Sequence, residues 1–145
     1  MKTILTTDNI NQLAAHIITL MPRYTIFTFI GPLGAGKTTL IKEILRQSGV
    51  TDIVTSPTFG YVNTYHNPQA SAFHHFDLYR IASAQDFIYA GFDEYLQQEH
   101  SWSFIEWPGV IENLLKQPGV VQGVCQIAID YSVDDPSQRT VTISP

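Results

Sequence analysis

A glycine-rich stretch, Gly31-Pro-Leu-Gly-Ala-Gly-Lys-Thr-Thr39, holds the residues of this chain that are best suited to chemistry. It fits the P-loop pattern G-x-x-x-x-G-K-[ST], in which glycines let successive backbone N–H groups point inward at phosphate oxygens. The lysine of this pattern reaches the β- and γ-phosphates, and the hydroxyl after it ligates Mg²⁺. The stretch therefore predicts a binding site for a nucleoside triphosphate and its magnesium ion.

The residues on either side of the stretch predict the elements that such a site needs. Residues 24–30 form a β-branched and aromatic run of strand length, and residues 38–47 carry apolar side chains at helical spacing, with Gly49 as a stop. A strand, a glycine turn and a helix in this order give the phosphates backbone amides and the positive end of a helix dipole. The predicted nucleotide-binding residues are Gly34, Ala35, Gly36, Lys37, Thr38 and Thr39.

Two acidic residues further along the chain are candidates for magnesium and for catalysis. Mg²⁺ prefers oxygen ligands, and beside Thr38 an acid at the end of a neighbouring strand usually supplies one. Asp77 and Glu106 each close an apolar strand, although either carboxylate could instead be a solvated strand end. Glu106 could also orient the attacking water, directly or through the metal, since positioning and charge neutralisation do most of the work in phosphoryl transfer.

The polar residues between these motifs allow more than one interpretation. Ser56 and Thr58 flank a proline and could sense a γ-phosphate or simply form a turn. Arg80 could face phosphate, a partner or a surface carboxylate, and Trp107 is predicted to pack rather than stack on a ligand. The histidines of this region do not form a metal set, because no further ligand has suitable spacing; they are His66, His74 and His75.

Composition predicts one globular domain over residues 1–145. Apolar residues make up 44% of the chain and charged residues 14%, with a net charge of −5 and only eight Lys and Arg. Such a chain is not suited to hold nucleic acid by neutralising phosphates, so any contact with RNA is expected to run through a partner protein. With no secretory signal, no membrane-spanning run and a lone, buried-looking Cys125, we expect a cytoplasmic protein.

The remaining periodicities complete the predicted fold. A capping box at Asn9 and Gln12 starts a helix that Pro22 ends, and Ser83 caps a short helix that Gly91 interrupts. Strands are expected at 59–65, 72–77, 102–106, 123–130 and 139–144, with the first two antiparallel, and a short helix at 110–115. This order predicts an α/β protein with a P-loop NTPase-like three-layer fold, whose mixed parallel and antiparallel central sheet is flanked by helices.

Four motifs together resemble those of one bacterial family. They are the P-loop, then Ser56-Pro57-Thr58-Phe59, then His75-Phe-Asp77-Leu-Tyr79-Arg80, then Ile105-Glu106-Trp107-Pro108. The P-loop alone is common to many families, but the other three, in this order and spacing, are similar to those of the TsaE (YjeE) family. The resemblance covers nearly the whole chain.

The resemblance implies a small, weak Mg²⁺-dependent ATPase that takes part in threonylcarbamoyladenosine modification of tRNA. Members work with the proteins TsaD and TsaB, bind ATP where they meet them, and drive that complex through its cycle without performing the carbamoyl chemistry. ATP or ADP and Mg²⁺ are thus the implied cofactors, and tRNA is an indirect partner.

Carried over residue by residue, the resemblance implies a role for each motif. Lys37 holds phosphates, Thr38 and Glu106 serve Mg²⁺, Asp77 is needed for activity, and residues near Thr7 lie close to the adenine. One departure is Pro32, where the family usually has aspartate. Proline removes a backbone N–H, but this amide lies early in the loop and need not face phosphate, so we expect nucleotide binding to survive.

Three other functions are consistent with a P-loop. A P-loop small-molecule kinase needs an acceptor pocket and usually an arginine-bearing lid, whereas the four arginines here are scattered and the chain is short. A GTPase is expected to show D-x-x-G and N-K-x-D motifs, which are not present. A nucleotide-sensing subunit without catalysis remains open, because binding and hydrolysis share the same loop.

Overall fold

Seven strands form one mixed sheet in this computed structural model, which describes residues 1–6, 8–119 and 123–145. The strands are β1 (Lys2–Leu5), β2 (Ile26–Ile30), β3 (Val62–His66), β4 (Ala72–Asp77), β5 (Ser101–Glu106), β6 (Val124–Tyr131) and β7 (Arg139–Ser144). Their order across the sheet is β1-β7-β6-β2-β5-β4-β3. The helices are α1 (Ile10–Leu20), α2 (Lys37–Gln47), α3 (Ala84–Tyr89) and α4 (Glu112–Leu115), with 3-10 segments at Phe92–Gln97 and Pro108–Ile111.

The centre of the sheet is parallel and its borders are antiparallel. Strands β6, β2, β5 and β4 run in the same direction, while β7 and β3 run against their neighbours. The central strands β2 and β4 are almost continuously buried, as expected for parallel strands covered on both faces. Phe29 pairs with Glu106, and Glu106 pairs with Asp77, so the carboxyl ends of β2, β5 and β4 lie side by side.

Two apolar cores lie on opposite faces of the sheet, because successive side chains of a strand point to opposite faces. Helices α1 and α2 pack on one face against Phe27, Phe29, Phe104 and neighbouring side chains. The other face carries Ile26, Phe76 and Ile105 under α3, α4 and the 3-10 segments. The predicted α/β class and the mixed sheet flanked by helices are confirmed.

Most predicted elements are found within a residue or two, and the antiparallel pairing of β3 with β4 is confirmed. The cap at Ser83 is also confirmed, since its hydroxyl accepts the Asp86 N–H at 3.0 Å. The capping box at Asn9 and Gln12 is wrong, because the Asn9 amide instead accepts the Thr6 N–H and donates to Ile4 O.

Two strand predictions also need correction. The strand expected at 59–65 begins only at Val62, because Tyr61 has a positive φ of 61° that breaks the extended backbone. Strand β1 was not predicted, since only Leu5 of its four residues is buried and the apolar signal is correspondingly weak. Of the helices in the described part of the chain, none is long and apolar enough to cross a membrane.

A buried histidine ties β4 to β3 and to the 3-10 segment at Phe92–Gln97. His74 is only 1% exposed; its Nδ1 accepts the Thr64 hydroxyl at 2.8 Å and its Nε2 donates to Gln98 Oε1 at 2.7 Å. The edge of Tyr95 packs against its ring, with centroids 4.8 Å apart. Burial lowers the pKa of His74 from its ordinary value of 6.5, partly offset by the hydrogen bond to Gln98.

We predict that His74 makes the chain less stable as the pH falls. Because its pKa is lower in the folded than in the unfolded state, the unfolded state binds more protons between the two pKa values. The stability contributed by neutral His74 is complete above the unfolded pKa and is lost as the pH drops from there through the folded pKa. In urea denaturation at several pH values, the free energy of unfolding of His74→Gln should fall less steeply on acidification than that of the wild type. Equal slopes of this free energy against pH would contradict the prediction.

Candidate functional site

The glycine loop between β2 and α2 depends on positive backbone angles. Gly31, Gly34 and Gly36 have φ angles of 142°, 74° and 103°, a region that favours glycine. At Gly31 a Cβ atom would lie 2.0 Å from the carbonyl oxygen of Ile129 on β6, whereas at Gly36 it would meet nothing within 4 Å. Gly31 therefore lets the loop leave the sheet, and Gly36 borders open space at the start of α2.

The backbone amides at the start of α2 face that open space. The first hydrogen bond of the helix runs from the Leu40 N–H to Gly36 O at 3.0 Å, so the amides of Lys37, Thr38 and Thr39 have no intrahelical acceptor. In the described residues, none of these three amides donates to another protein group. With the helix dipole behind them, they form a cradle for an anion.

The Lys37 side chain folds back onto the loop instead of reaching into solvent. Its Nζ donates to Gly31 O at 2.8 Å and to Pro32 O at 2.9 Å, and lies 4.3 Å from the centroid of the Trp107 ring. The residue is only 4% exposed, and burial lowers the pKa of Lys37, while the charges of Glu106 and Asp77 act in the opposite direction. The ammonium is thus held close to the cradle, among acceptors that phosphate oxygens could replace.

Pro32 contributes to this arrangement through its carbonyl. Besides accepting from Lys37, Pro32 O accepts the Ala35 N–H at 3.2 Å, which closes the turn of the loop. The ring itself is exposed. The amide that proline lacks lies at the first turn of the loop, before the amides of α2, so the cradle keeps its donors.

The predicted acids lie where β4 and β5 end beside the loop. The Thr38 hydroxyl donates to Glu106 Oε1 at 2.7 Å, and Glu106 is only 3% exposed. Asp77, its partner in the strand register, is partly exposed and accepts the Tyr79 N–H at 3.1 Å. Burial raises the pKa of Asp77 and Glu106 raises it further, while that hydrogen bond, His75 and Lys37 lower it.

These residues fit a magnesium ion that is bound together with phosphates. Among the described residues, no group of three or more His, Cys, Asp and Glu could hold a metal alone. Mg²⁺ in phosphate-transfer sites typically takes one or two carboxylates and completes its shell with phosphate oxygens and water. Thr38, Glu106 and Asp77 have the oxygen donors for such a partial shell. The structure therefore brings together the predicted residues Gly34, Ala35, Gly36, Lys37, Thr38, Thr39, Asp77 and Glu106.

Other sequence predictions lie at the edge of this site or beyond the described chain. The loop with Ser56 and Thr58 leads into β3 at the same edge of the sheet, and both residues are exposed, as is Arg80. Their roles stay predictions. Thr7, expected near the adenine, lies outside the described residues.

Three contacts around the site were not expected from the sequence. His75 Nε2 lies 2.8 Å from Glu106 Oε1, and Trp107 packs on Tyr79 as well as under Lys37. Tyr131, at the end of β6, donates its hydroxyl to Leu33 O at 3.4 Å and so contacts the loop from the other side. Of these residues, only His75 could have been assigned to the site from the sequence. It precedes Asp77 by two residues, which places both side chains on one face of the strand.

A cleft at the opposite edge of the sheet does not overlap the loop. It has a volume of about 660 Å³ and is bordered by Met21, Thr25, Ser101 and Trp102. Its tryptophan indole is already paired with Met21 O at 2.9 Å. None of the buried side-chain atoms without a partner in the described residues belongs to a residue of this cleft. Polar side chains, among them Gln97, Glu99 and His100, also border this cleft, but none of the predicted site residues does.

We predict that two glycine substitutions in the loop separate stability from binding. Gly31→Ala should destabilise the fold by roughly 2–6 kcal/mol, because backbone strain adds to the clash with Ile129 O. Gly36→Ala should cost only about 1–3 kcal/mol of strain, but its methyl group intrudes on the cradle, so affinity for ADP should fall. Urea denaturation and calorimetry measure the two effects; a Gly31→Ala variant as stable as Gly36→Ala would contradict this account of the loop.

Comparisons with known proteins show which family the chain resembles. The profile of a family described as threonylcarbamoyl adenosine biosynthesis protein TsaE matches residues 4–141. The chain is 35% identical over 117 residues to the tRNA threonylcarbamoyladenosine biosynthesis protein TsaE of Bacillus subtilis, covering 81% of this chain and 68% of that protein. Its namesake from Rickettsia prowazekii is 37% identical over 114 residues, covering 78% and 72%.

A solved structure agrees with these sequence matches. The crystal structure of Bacillus subtilis YdiB superposes with a TM-score of 0.72 at 27% identity, covering 99% of this chain and 83% of that one. The similarity thus extends through the P-loop, both acidic strand ends and the whole sheet. The chain belongs to the TsaE family.

Proposed function

We propose that this protein is an ATP-binding and ATP-hydrolysing subunit required for threonylcarbamoyladenosine modification of tRNA, and that it acts with TsaD and TsaB. The observation that carries the proposal is the convergence of the open amides of α2, the Lys37 ammonium and the Thr38–Glu106 pair at one edge of the sheet. Family membership supplies the pathway, because the relatives from Bacillus subtilis and Rickettsia prowazekii carry it in their names.

The nucleotide would be held chiefly by its phosphates. The amides of Gly34 and of residues 36–39 would donate to the phosphate oxygens, and Lys37 would exchange its two carbonyl acceptors for the β- and γ-phosphates. Thr38, Glu106 and Asp77 would hold Mg²⁺, which supplies neutralisation of the charge on the transferred phosphoryl group when bound. The nearly buried Glu106 would also orient the attacking water.

Exposed apolar side chains around the loop support a protein partner at this edge. Leu33 in the loop and Tyr79 after β4 are both more than half exposed, and Phe59 in the loop before β3 is 89% exposed. Such side chains are typical of protein contact surfaces. With a net charge of −5, the chain is poorly suited to bind tRNA itself, so we propose that tRNA is contacted by TsaD and TsaB.

The kinase alternative gains no support from the described residues. Arg46 is paired with Glu43 on the surface of α2, and Arg23 lies over Tyr24. Neither guanidinium is available as a lid over the phosphates. Arg139 lies over the Tyr131 ring and donates to Pro136 O and Gln138 O, and the exposed Arg80 is a single arginine after β4 rather than a lid segment. We therefore retain the ATPase as the proposal.

We predict that Lys37→Ala weakens binding of ADP by roughly 10- to 150-fold, the usual range for losing a charge-assisted hydrogen bond. Lys42→Ala on the exposed face of the same helix is the matched control and should bind like the wild type. Isothermal calorimetry measures the affinity, and circular dichroism confirms that both variants are folded. Equal affinities for the two variants would remove Lys37 from the site.

The test of the proposed function combines the purified chain with TsaD and TsaB. We expect ATP to promote their association, and the mixture to hydrolyse ATP and support threonylcarbamoyladenosine formation on tRNA. Glu106→Gln should lose most hydrolysis while retaining ADP affinity, because the cradle and Lys37 remain. Phosphorylation of a small metabolite by the chain alone, or normal hydrolysis by Glu106→Gln, would count against the proposal.

A further inference from the structure

We infer that His75 is a positioning residue that fixes the carboxylate of Glu106 from inside the sheet, in the same orientation with and without nucleotide. The inference rests on the proposed function, because it names the residue that holds Glu106 in place. Glu106 is the acid that would bind Mg²⁺ and orient the attacking water. It starts from one short contact, 2.8 Å between His75 Nε2 and Glu106 Oε1, between two side chains that are almost completely buried.

The hydrogen-bond pattern fixes the direction of this contact. A carboxylate only accepts hydrogen bonds, so Nε2 of His75 carries the proton and donates it. The same Oε1 atom also accepts the Thr38 hydroxyl at 2.7 Å. Both anchors therefore hold one oxygen, and within the described residues no protein group bonds Oε2. The second oxygen is therefore available to a ligand.

Nucleotide binding would affect the two hydrogen bonds to Glu106 differently. Thr38 lies in the first turn of α2, where its oxygen would become a magnesium ligand, so its contact with Glu106 depends on the state of the site. His75 lies on β4, next to β5 in the sheet, and has no exposed surface from which to contact a nucleotide. A glutamate has three rotatable bonds to order, and His75 is the anchor that would order them before the metal arrives.

The second nitrogen of His75 shows that packing does not explain the residue. Nδ1 is buried and has no hydrogen-bond partner in the described structure, which is costly for a polar atom. An apolar side chain would fill the same space without this cost. In contrast, the neighbouring His74 has both nitrogens paired and serves the opposite face of β4. Among the described residues, the one polar contact of His75 is with Glu106, and the position therefore serves that carboxylate.

The experiment uses variants of the full chain that keep or remove the donor. His75→Gln can place an amide N–H where Nε2 lies, His75→Leu has no donor, and His74→Gln is the matched control in the same strand. Three quantities are measured: ADP affinity in EDTA by calorimetry, Mn²⁺ affinity of the ADP-bound chain by electron paramagnetic resonance, and ATP hydrolysis with TsaD and TsaB.

We expect His75→Leu to lower Mn²⁺ affinity and hydrolysis by about 10- to 100-fold, the usual effect of removing a partner behind a metal ligand. ADP affinity in EDTA should be unchanged, because the cradle and Lys37 are intact. His75→Gln should recover most of both losses, and His74→Gln should match the wild type in both. A purely structural role would not produce a metal-specific loss that a donor restores.

Several results would overturn the inference. These are wild-type Mn²⁺ affinity in His75→Leu, no recovery in His75→Gln, or an equal loss in His74→Gln. If His75→Leu does not fold, His75→Asn replaces it, since its shorter amide cannot reach Glu106; equal behaviour of the Asn and Gln variants then also refutes the inference. Failure of the wild-type chain to bind ADP would instead refute the proposed function, and the role of His75 with it.

Discussion

The parallel register of β2, β5 and β4 is the constraint on which the site depends. Phe29, Glu106 and Asp77 are aligned across these strands, so the loop that leaves β2 meets both acids at one edge. The constraint is physical: buried strands with continuous apolar faces pair over their whole length, and a slip of one residue would turn Glu106 to the opposite face. The fold thus sets the separation between the amides at the start of α2 and the two carboxylates before any ligand binds.

Several energetically unfavourable features lie at the aligned carboxyl ends of these strands. Lys37 is buried with a lowered pKa, and Asp77 has a raised pKa. Nδ1 of His75 has no partner among the described residues, and Trp107 adopts a positive φ of 57°. Perturbed groups and strained backbone cluster at functional sites, where the surrounding structure holds them in place. Elsewhere the two cores are formed by well-packed aromatic and aliphatic side chains, which offset these costs.

The sequence predicted the parts of the fold that depend on local pattern. The P-loop, α2 and the acidic strand ends follow from motif and periodicity, and their convergence follows from parallel pairing. Contacts between distant residues could not be predicted in this way: His75 to Glu106 spans 31 residues, and Tyr131 to Leu33 spans 98. The edge strand β1 was missed because its pairing with β7, rather than a buried face, holds it in the sheet.

A structure with a non-hydrolysable ATP analogue and Mg²⁺ tests the central claim most directly. The account predicts phosphate oxygens on the amides of Gly34 and of residues 36–39, Lys37 Nζ moved from Gly31 O and Pro32 O to the phosphates, and Glu106 still bonded to His75. Phosphates bound elsewhere, for example in the cleft beside Trp102, or a Glu106 carboxylate turned away from the cradle, would contradict it.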